Sequence, residues 1–175
     1  MEPKQITLAA IFIAAVVAAF LVKERINKKK GENGEDLAKV CRVVEKLLPG
    51  SGSYTIAYAT YMTDHSVGNR ITKYYYHYAI AFKPGALFVA PIQYNGGEVS
   101  YQGSGTLLTK DNLGRLKPKG DSCAFFGKDG KELCAFCVYA SNTRQDKYQP
   151  FNIQQKEQAE AYKAFLKEFI SQVNG

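Results

Sequence analysis

ITKYYYHYAIAF, residues 71–82, sets the fold class because its side chains alternate with a period of two. Tyr74, Tyr76, Tyr78, Ile80 and Phe82 share one face of an extended strand; Lys73, Tyr75, His77, Ala79 and Ala81 share the other. The preceding stretch keeps the same period, with Tyr54, Ile56, Tyr58, Thr60 and Met62 alternating with Thr55, Ala57, Ala59 and Tyr61. His65-Ser66-Val67-Gly68-Asn69 lies between them and reads as a turn, so the two segments predict an antiparallel pair.

Working outward, Lys83-Pro84-Gly85-Ala86 suits a type II turn, with Pro fixing one angle and Gly accepting a positive φ. A third strand follows over Leu87–Tyr94, where Pro91 demands an edge position or a bulge. Asn95-Gly96-Gly97 and Gly103-Ser104-Gly105 mark turns around short strands at Glu98–Tyr101 and Thr106–Lys110, and another strand fits Gly114–Lys117. Ser122–Ala140 predicts a hairpin folded on Asp129-Gly130, a type I′ signal.

Two amphipathic helices flank these strands. Over Asp36–Leu48, Leu37, Val40, Cys41, Val44, Leu47 and Leu48 make one apolar face, with Asp36 as N-cap and Pro49-Gly50 as the stop. Over Ile153–Val173, Tyr162, Phe165, Leu166, Phe169, Ile170 and Val173 do the same, with Asn152 as cap and Gln155 three residues on. The fold class is therefore α+β: an antiparallel curled sheet or partly open barrel of six to seven strands within residues 53–140, one helix covering its open face or mouth. A sandwich with its helices on one side is the competing architecture. A meandering sheet closed by a C-terminal helix resembles the pleckstrin-homology-like architecture over residues 53–173. That resemblance implies binding of phosphoinositides, peptides or partner proteins, and does not choose among them.

The N-terminus carries a different signal. Residues 6–22, ITLAAIFIAAVVAAFLV, hold no charge, and at about 1.5 Å per residue they extend roughly 25 Å. They predict a transmembrane helix within an anchor over residues 1–27. A cleaved signal peptide fits less well, because MEPKQ before the run holds one base and the run ends in Phe20-Leu21-Val22. Lys4 precedes the run; Lys23, Arg25, Lys28, Lys29 and Lys30 follow it, which places the C-terminal side in the cytoplasm. Residues 28–35 form a polar linker and residues 36–175 a soluble domain. The expected location is the plasma membrane, single-pass, with membrane contact through the N-terminal helix; this anchor-plus-domain layout is common in bacteria.

Composition bounds the rest. The 175 residues carry a formal charge of +7 and 46% hydrophobic residues, which excludes disorder as the dominant state. Six of the 23 Lys and Arg and four of the 16 Asp and Glu precede Asp36, so the domain keeps 17 bases against 12 acids, a net +5. That is modest for a nucleic-acid reader, and no nucleic-acid partner is expected. Four Cys are too few for a disulfide-held miniprotein.

No catalytic constellation emerges. Cys134-Ala135-Phe136-Cys137 lies in a strand, where positions i and i+3 face opposite ways, so neither a metal nor a redox dithiol is expected. With a two-residue turn at Asp129-Gly130, facing positions sum to 259: Cys123 opposes Phe136, Cys134 opposes Phe125, Cys137 opposes Ser122, and no Cys meets another. Asp64, His65 and His77 make the remaining acid–base candidate, with no HxxxH or HExxH spacing. No cofactor is expected. Lys110, Arg115, Lys117, Lys119, Lys128 and Lys131 cluster within 22 residues and are candidates for binding a ligand or lipid head group. Tyr75 and His77 are candidates for partner contact, while Tyr74, Tyr76 and Tyr78 are expected to form a core layer. The expected function is a cytoplasmic, membrane-anchored module that binds a protein partner or anionic lipids without catalysis. An extracytoplasmic envelope or adhesion domain is the alternative, and an enzyme of unrecognised type a further one.

Overall fold

The two period-two stretches form the longest strands, β1 (Thr55–Val67) and β2 (Arg70–Lys83), which pair antiparallel without a break from Thr55–Phe82 to Val67–Arg70. The computed structural model describes residues 35–68, 70–95, 97–142 and 150–175. The transmembrane helix expected over residues 6–22 lies outside the described residues. Among the described residues no helix is long and apolar enough to cross a membrane. His65–Val67 continue β1 rather than forming the expected turn, because no Gly, Pro or Asn interrupts the chain before Gly68, whose φ is +61°.

β3 (Ala86–Asn95) pairs with β2, and its outer side is shared by β4 (Glu98–Tyr101) and β5 (Thr106–Thr109). Pro91 sits in the gap between those two partners, where its carbonyl accepts the Gln102 N–H at 3.2 Å and its missing donor costs little. A second sheet runs β6 (Leu113–Lys119), β7 (Ser122–Gly127), β8 (Glu132–Phe136). The hairpin between β7 and β8 is not type I′. Asp129 keeps a negative φ, only Gly130 is left-handed, and Gly130 N–H closes on Gly127 O at 2.9 Å, the pattern of a three-residue loop with a bulge. The bulge absorbs one residue, so Cys123–Phe136 and Phe125–Cys134 still face each other as expected.

The two sheets are not closed into a barrel. One antiparallel bridge joins them, Thr60 with Cys137, through paired backbone hydrogen bonds of 3.0 and 2.9 Å. Residues 141–142 and 153–154 add a two-residue pair, β9 (Ser141–Asn142) with β10 (Ile153–Gln154). The described residues thus hold ten strands, more than the six or seven expected, because β4 and β5 divide one edge and β9 and β10 are short.

The helices take opposite faces of the larger sheet, not one. α1 (Glu35–Leu47) lays Val40, Val43 and Val44 over Tyr58, Ala79, Ala81, Phe88 and Ala90, together with Phe151 and Ile153. α2 (Lys156–Asn174) lays Tyr162, Phe165 and Phe169 over Ile80, Phe82 and Leu87, and over Phe125 and Phe136 of the smaller sheet. Alternation explains this: Ala79 and Ala81 are small enough to admit a helix on one face while Ile80 and Phe82 fill the other. Asp36, inside α1, does not cap it; its carboxylate accepts Asn152 N–H at 2.9 Å and meets Lys39 Nζ at 3.2 Å.

α2 starts three residues later than the periodicity predicts, because Ile153 and Gln154 pair with β9 and Gln155 does not act in a capping box. The Gln155 side chain instead grips the outer edge of β1. Tyr58 N–H donates to Gln155 Oε1 at 2.9 Å, and Gln155 Nε2 donates to Tyr58 O at 2.8 Å and to Tyr139 O at 2.9 Å. Asn174 repeats the device at the other end of α2: Leu116 N–H donates to Oδ1 at 2.8 Å and Nδ2 donates to Leu116 O at 2.9 Å. Gln155 is buried and Asn174 exposed. Each buried group left unpaired costs about 1–3 kcal/mol. Gln155→Ala should therefore lower unfolding free energy by about 2–4 kcal/mol, and Asn174→Ala by about 1 kcal/mol, as read from urea midpoints at constant slope. Equal small losses would contradict the clasp.

Candidate functional site

The acid–base candidates do not assemble. Asp64 and His65 are neighbours on β1 and face opposite ways; Asp64 is opposite Lys73, and the His65 ring meets Tyr74 edge-on at 5.5 Å. His77 belongs to the packing under α1. Its Nδ1 lies 2.6 Å from the Tyr58 hydroxyl, and its ring stands 5.6 Å from Phe151. Burial pushes His77 below its ordinary value and pushes the Tyr58 phenol up, so at neutral pH a neutral phenol and a neutral imidazole share this hydrogen bond. Tyr75, the other partner-contact candidate, is half-buried opposite Met62. The tyrosine layer divides: Tyr78 packs on Phe136 in the core, while Tyr74 and Tyr76 are exposed.

A buried imidazole that stays neutral makes stability fall with acid. The folded state resists the proton that the unfolded chain accepts near pH 6.5, so stability is complete above that pH and declines below it. Urea midpoints should drop between pH 7.5 and 5, and the drop should shrink in His77→Gln, which keeps an acceptor for Tyr58. An unchanged drop would assign the acid sensitivity elsewhere.

Three of the cysteines pack in the core, while Cys41, expected on the apolar face of α1, is only half-buried and Val43 takes the buried position. Cys123 and Cys134 face phenylalanines, and burial raises their thiols to about 11 and about 12. The Cys137 thiol donates to Thr60 O at 3.1 Å beside the bridge that joins the sheets. All four are free thiols. Among the described residues no group of His, Cys, Asp and Glu has metal-ligand geometry. Tyr162 is the nearby oddity: its hydroxyl is buried with no hydrogen-bond partner among the described residues. Removing it with Tyr162→Phe should leave stability unchanged or raise it by up to about 1 kcal/mol, measured by thermal or urea unfolding. A clear loss would reveal a partner for the hydroxyl.

Of the six basic candidates, the fold brings three into a row. A bulge between Leu113 and Arg115 inserts Gly114, and this resets the phase of β6. Leu113 and Leu116 then point into the core, while Arg115, Lys117 and Lys119 share the outer face, roughly 7 Å apart from one to the next. Gly114 must be glycine, because a Cβ there would stand 2.6 Å from Gly127 O. The Arg115 guanidinium lies 4.5 Å over the Phe126 ring on the same face. Among the described residues, none of the three forms a salt bridge with an acid. Lys128 adjoins the row, since its Cα is 3.1 Å from the position of a Gly114 Cβ. Lys131 is held by Asp129 at 3.6 Å, and Lys110 belongs to the turn beside Gly85 and Gln172 instead.

Lys119 leads into a groove of about 560 Å³ between α2 and the β6–β7 turn. Val138, Leu166 and Ile170 give it apolar walls, and its charged lining is mixed, with Lys156, Lys163 and Lys167 beside Asp121 and Glu160. Lys163 and Lys167 were not among the sequence candidates. Their spacing of four on a helix was visible, but their nearness to β6 depends on how α2 crosses the curl. Compared with known protein families, characterised proteins and solved structures, the chain matches none.

Proposed function

We propose that this chain is a single-pass, membrane-anchored cytoplasmic module that binds an acidic segment of a partner protein and performs no catalysis. The observation that carries this reading is the row Arg115, Lys117 and Lys119 on the outer face of an edge strand, with no salt bridge to an acid among the described residues. Three like charges at strand spacing repel one another, an arrangement that an incoming anionic chain relieves. The groove beyond Lys119 adds an apolar anchor point, which suits a polypeptide with acidic and apolar residues better than a flat sheet of head groups. The sequential pairing of β1–β2–β3 and β6–β7–β8, with the C-terminal helix packed on both sheets, is compatible with the pleckstrin-homology-like reading, although β5 returns to β3. The anchor over residues 6–22 would keep the module at the plasma membrane.

The probe is a fluorescent poly-glutamate peptide, titrated against the full chain in nanodiscs of neutral phosphatidylcholine. The wild-type chain should bind it with an affinity that falls as salt rises, and Arg115→Glu, Lys117→Glu and Lys119→Glu together should weaken binding at least tenfold with little change in unfolding midpoint. Equal binding by the triple variant would reject the row as the site. Preference for phosphatidylserine vesicles added in trans over the peptide would make anionic lipid the ligand instead.

A further inference from the structure

β1 and β2 are longer than the sheet that carries them. The last β2–β3 pair is His77 with Ile92, so Tyr61–Val67 and Arg70–Tyr76 project as a two-stranded arm with no third strand among the described residues. From His77 to Arg70 the overhang is about 24 Å at ~3.4 Å per residue. Such a ribbon has no core of its own, and its side chains are those a solvated arm would avoid: Val67 is 80% exposed, Ile71 68%, Tyr74 47% and Tyr76 44%. Arg70 and Lys73 stand among them, against Asp64.

The position of α1 says where this arm lies relative to the preceding chain. α1 begins beside the β4 end of β3: Lys39 Nζ lies 5.9 Å over the Tyr94 ring, and Asp36 holds Asn152. The arm leaves the sheet at that same end of β3. The chain before Glu35 therefore joins the domain where the arm begins. Residues 23–34 can reach about 40 Å when extended, longer than the arm itself. A membrane helix over residues 6–22 would keep the arm within reach of the bilayer.

We propose that the β1–β2 arm is a membrane-interface prong that seats Val67 and Ile71 at the boundary between head groups and acyl chains. The proposal rests on the anchor read from residues 6–22. Arg70 and Lys73 meet lipid phosphates, and Tyr74, Tyr75 and Tyr76 follow roughly 10–17 Å behind Ile71, at head-group level. The backbone limits the depth. Thr60 turns its N–H and carbonyl outward to Cys137, so by alternation Met62, Asp64 and Ser66 turn theirs outward too, and these have no partner among the described residues. Unpaired backbone groups are excluded from hydrocarbon, so the arm stops at the interface and its open edge stays in water or among head groups.

The sequence contains no Trp, so a single substitution gives a unique reporter. Val67→Trp, Ile71→Trp, Thr63→Trp and Gln172→Trp are made in the full chain and mixed with phosphatidylcholine–phosphatidylserine vesicles carrying acyl-chain-brominated lipid. Gln172 is the distant control, 3.9 Å from where a Gly85 Cβ would stand, at the other end of β2. The chain should float with the vesicles, with blue-shifted emission and several-fold stronger quenching at positions 67 and 71 than at 63, and none at 172. Flotation without quenching at 67 and 71 would overturn the prong and leave the anchor standing. Failure to float would overturn the anchor and the prong together. A blue shift that bromine does not quench would assign the arm to protein contact and overturn the lipid proposal.

Discussion

Two primary amides fix the geometry of this domain. A carboxamide presents one acceptor and one donor in a plane, the same pair that a backbone residue offers to a neighbouring strand. Gln155 and Asn174 use it in that way, each forming the two-bond pair with one edge-strand residue, Tyr58 in the larger sheet and Leu116 in the smaller. They stand immediately before α2 and at its last residue. The helix is thus fastened to both sheets at its two ends while Tyr162, Phe165 and Phe169 fill the space between. Hydrophobic burial alone would hold α2 in the curl without setting its register; the amides do set it, because a shift of one helical residue would leave four edge groups unpaired.

The same amides show why an open pair of sheets tolerates its edges. β1 is an edge strand, and next to the core its outward groups are met one after another: Gln155 takes Tyr58 and Cys137 takes Thr60, while those of the projecting arm stay open. A third strand at Tyr58 would close the sheets toward a barrel and remove the space α2 occupies. A side-chain amide satisfies the edge in a fraction of a strand's width. The gap between the sheets and the stability of the edge thus have a common cause.

Local patterns were legible in the sequence; long-range ones were not. The period of two gave β1, β2 and β3 within a few residues, and the apolar stripes gave both helices, because these depend only on which neighbours share a face. Facing residues in the β7–β8 hairpin were also legible, since a bulge at Leu133 compensated for the wrong turn type at Asp129-Gly130. Gln155 was misread for an instructive reason. Its spacing from Asn152 fits a capping box, and only the arrival of β1, 97 residues away in sequence, gives its amide a better partner. The cation row was half legible: the clustering of Arg115, Lys117 and Lys119 was plain, but their common face depends on the Gly114 bulge. Lys110 and Lys131 were near in sequence and fell elsewhere, because a turn and an acid neighbour claimed them.

Where function can reside follows from what is already covered. Both faces of the larger sheet are buried, one under α1 and the other under α2 and the smaller sheet. Among the described residues no broad apolar face of this sheet is left open apart from the arm, and Cys123, Cys134, Cys137 and His77 lie within that packing. What is left is peripheral: the outer face of β6, the groove beside α2, and the arm beyond His77. These differ in character because their supports differ. β6 is paired with β7 and clasped by Asn174, so the backbone that carries its charges is supported on both sides and spaces them as a patterned surface. The arm is paired on one side only, so shape complementarity there would be weakly defined, and a fluid, non-directional environment is the kind of partner it can meet without a fixed counterpart. Backbone support on both sides of β6 and on one side of the arm divides the periphery into a surface suited to a specific chain and one suited to an interface.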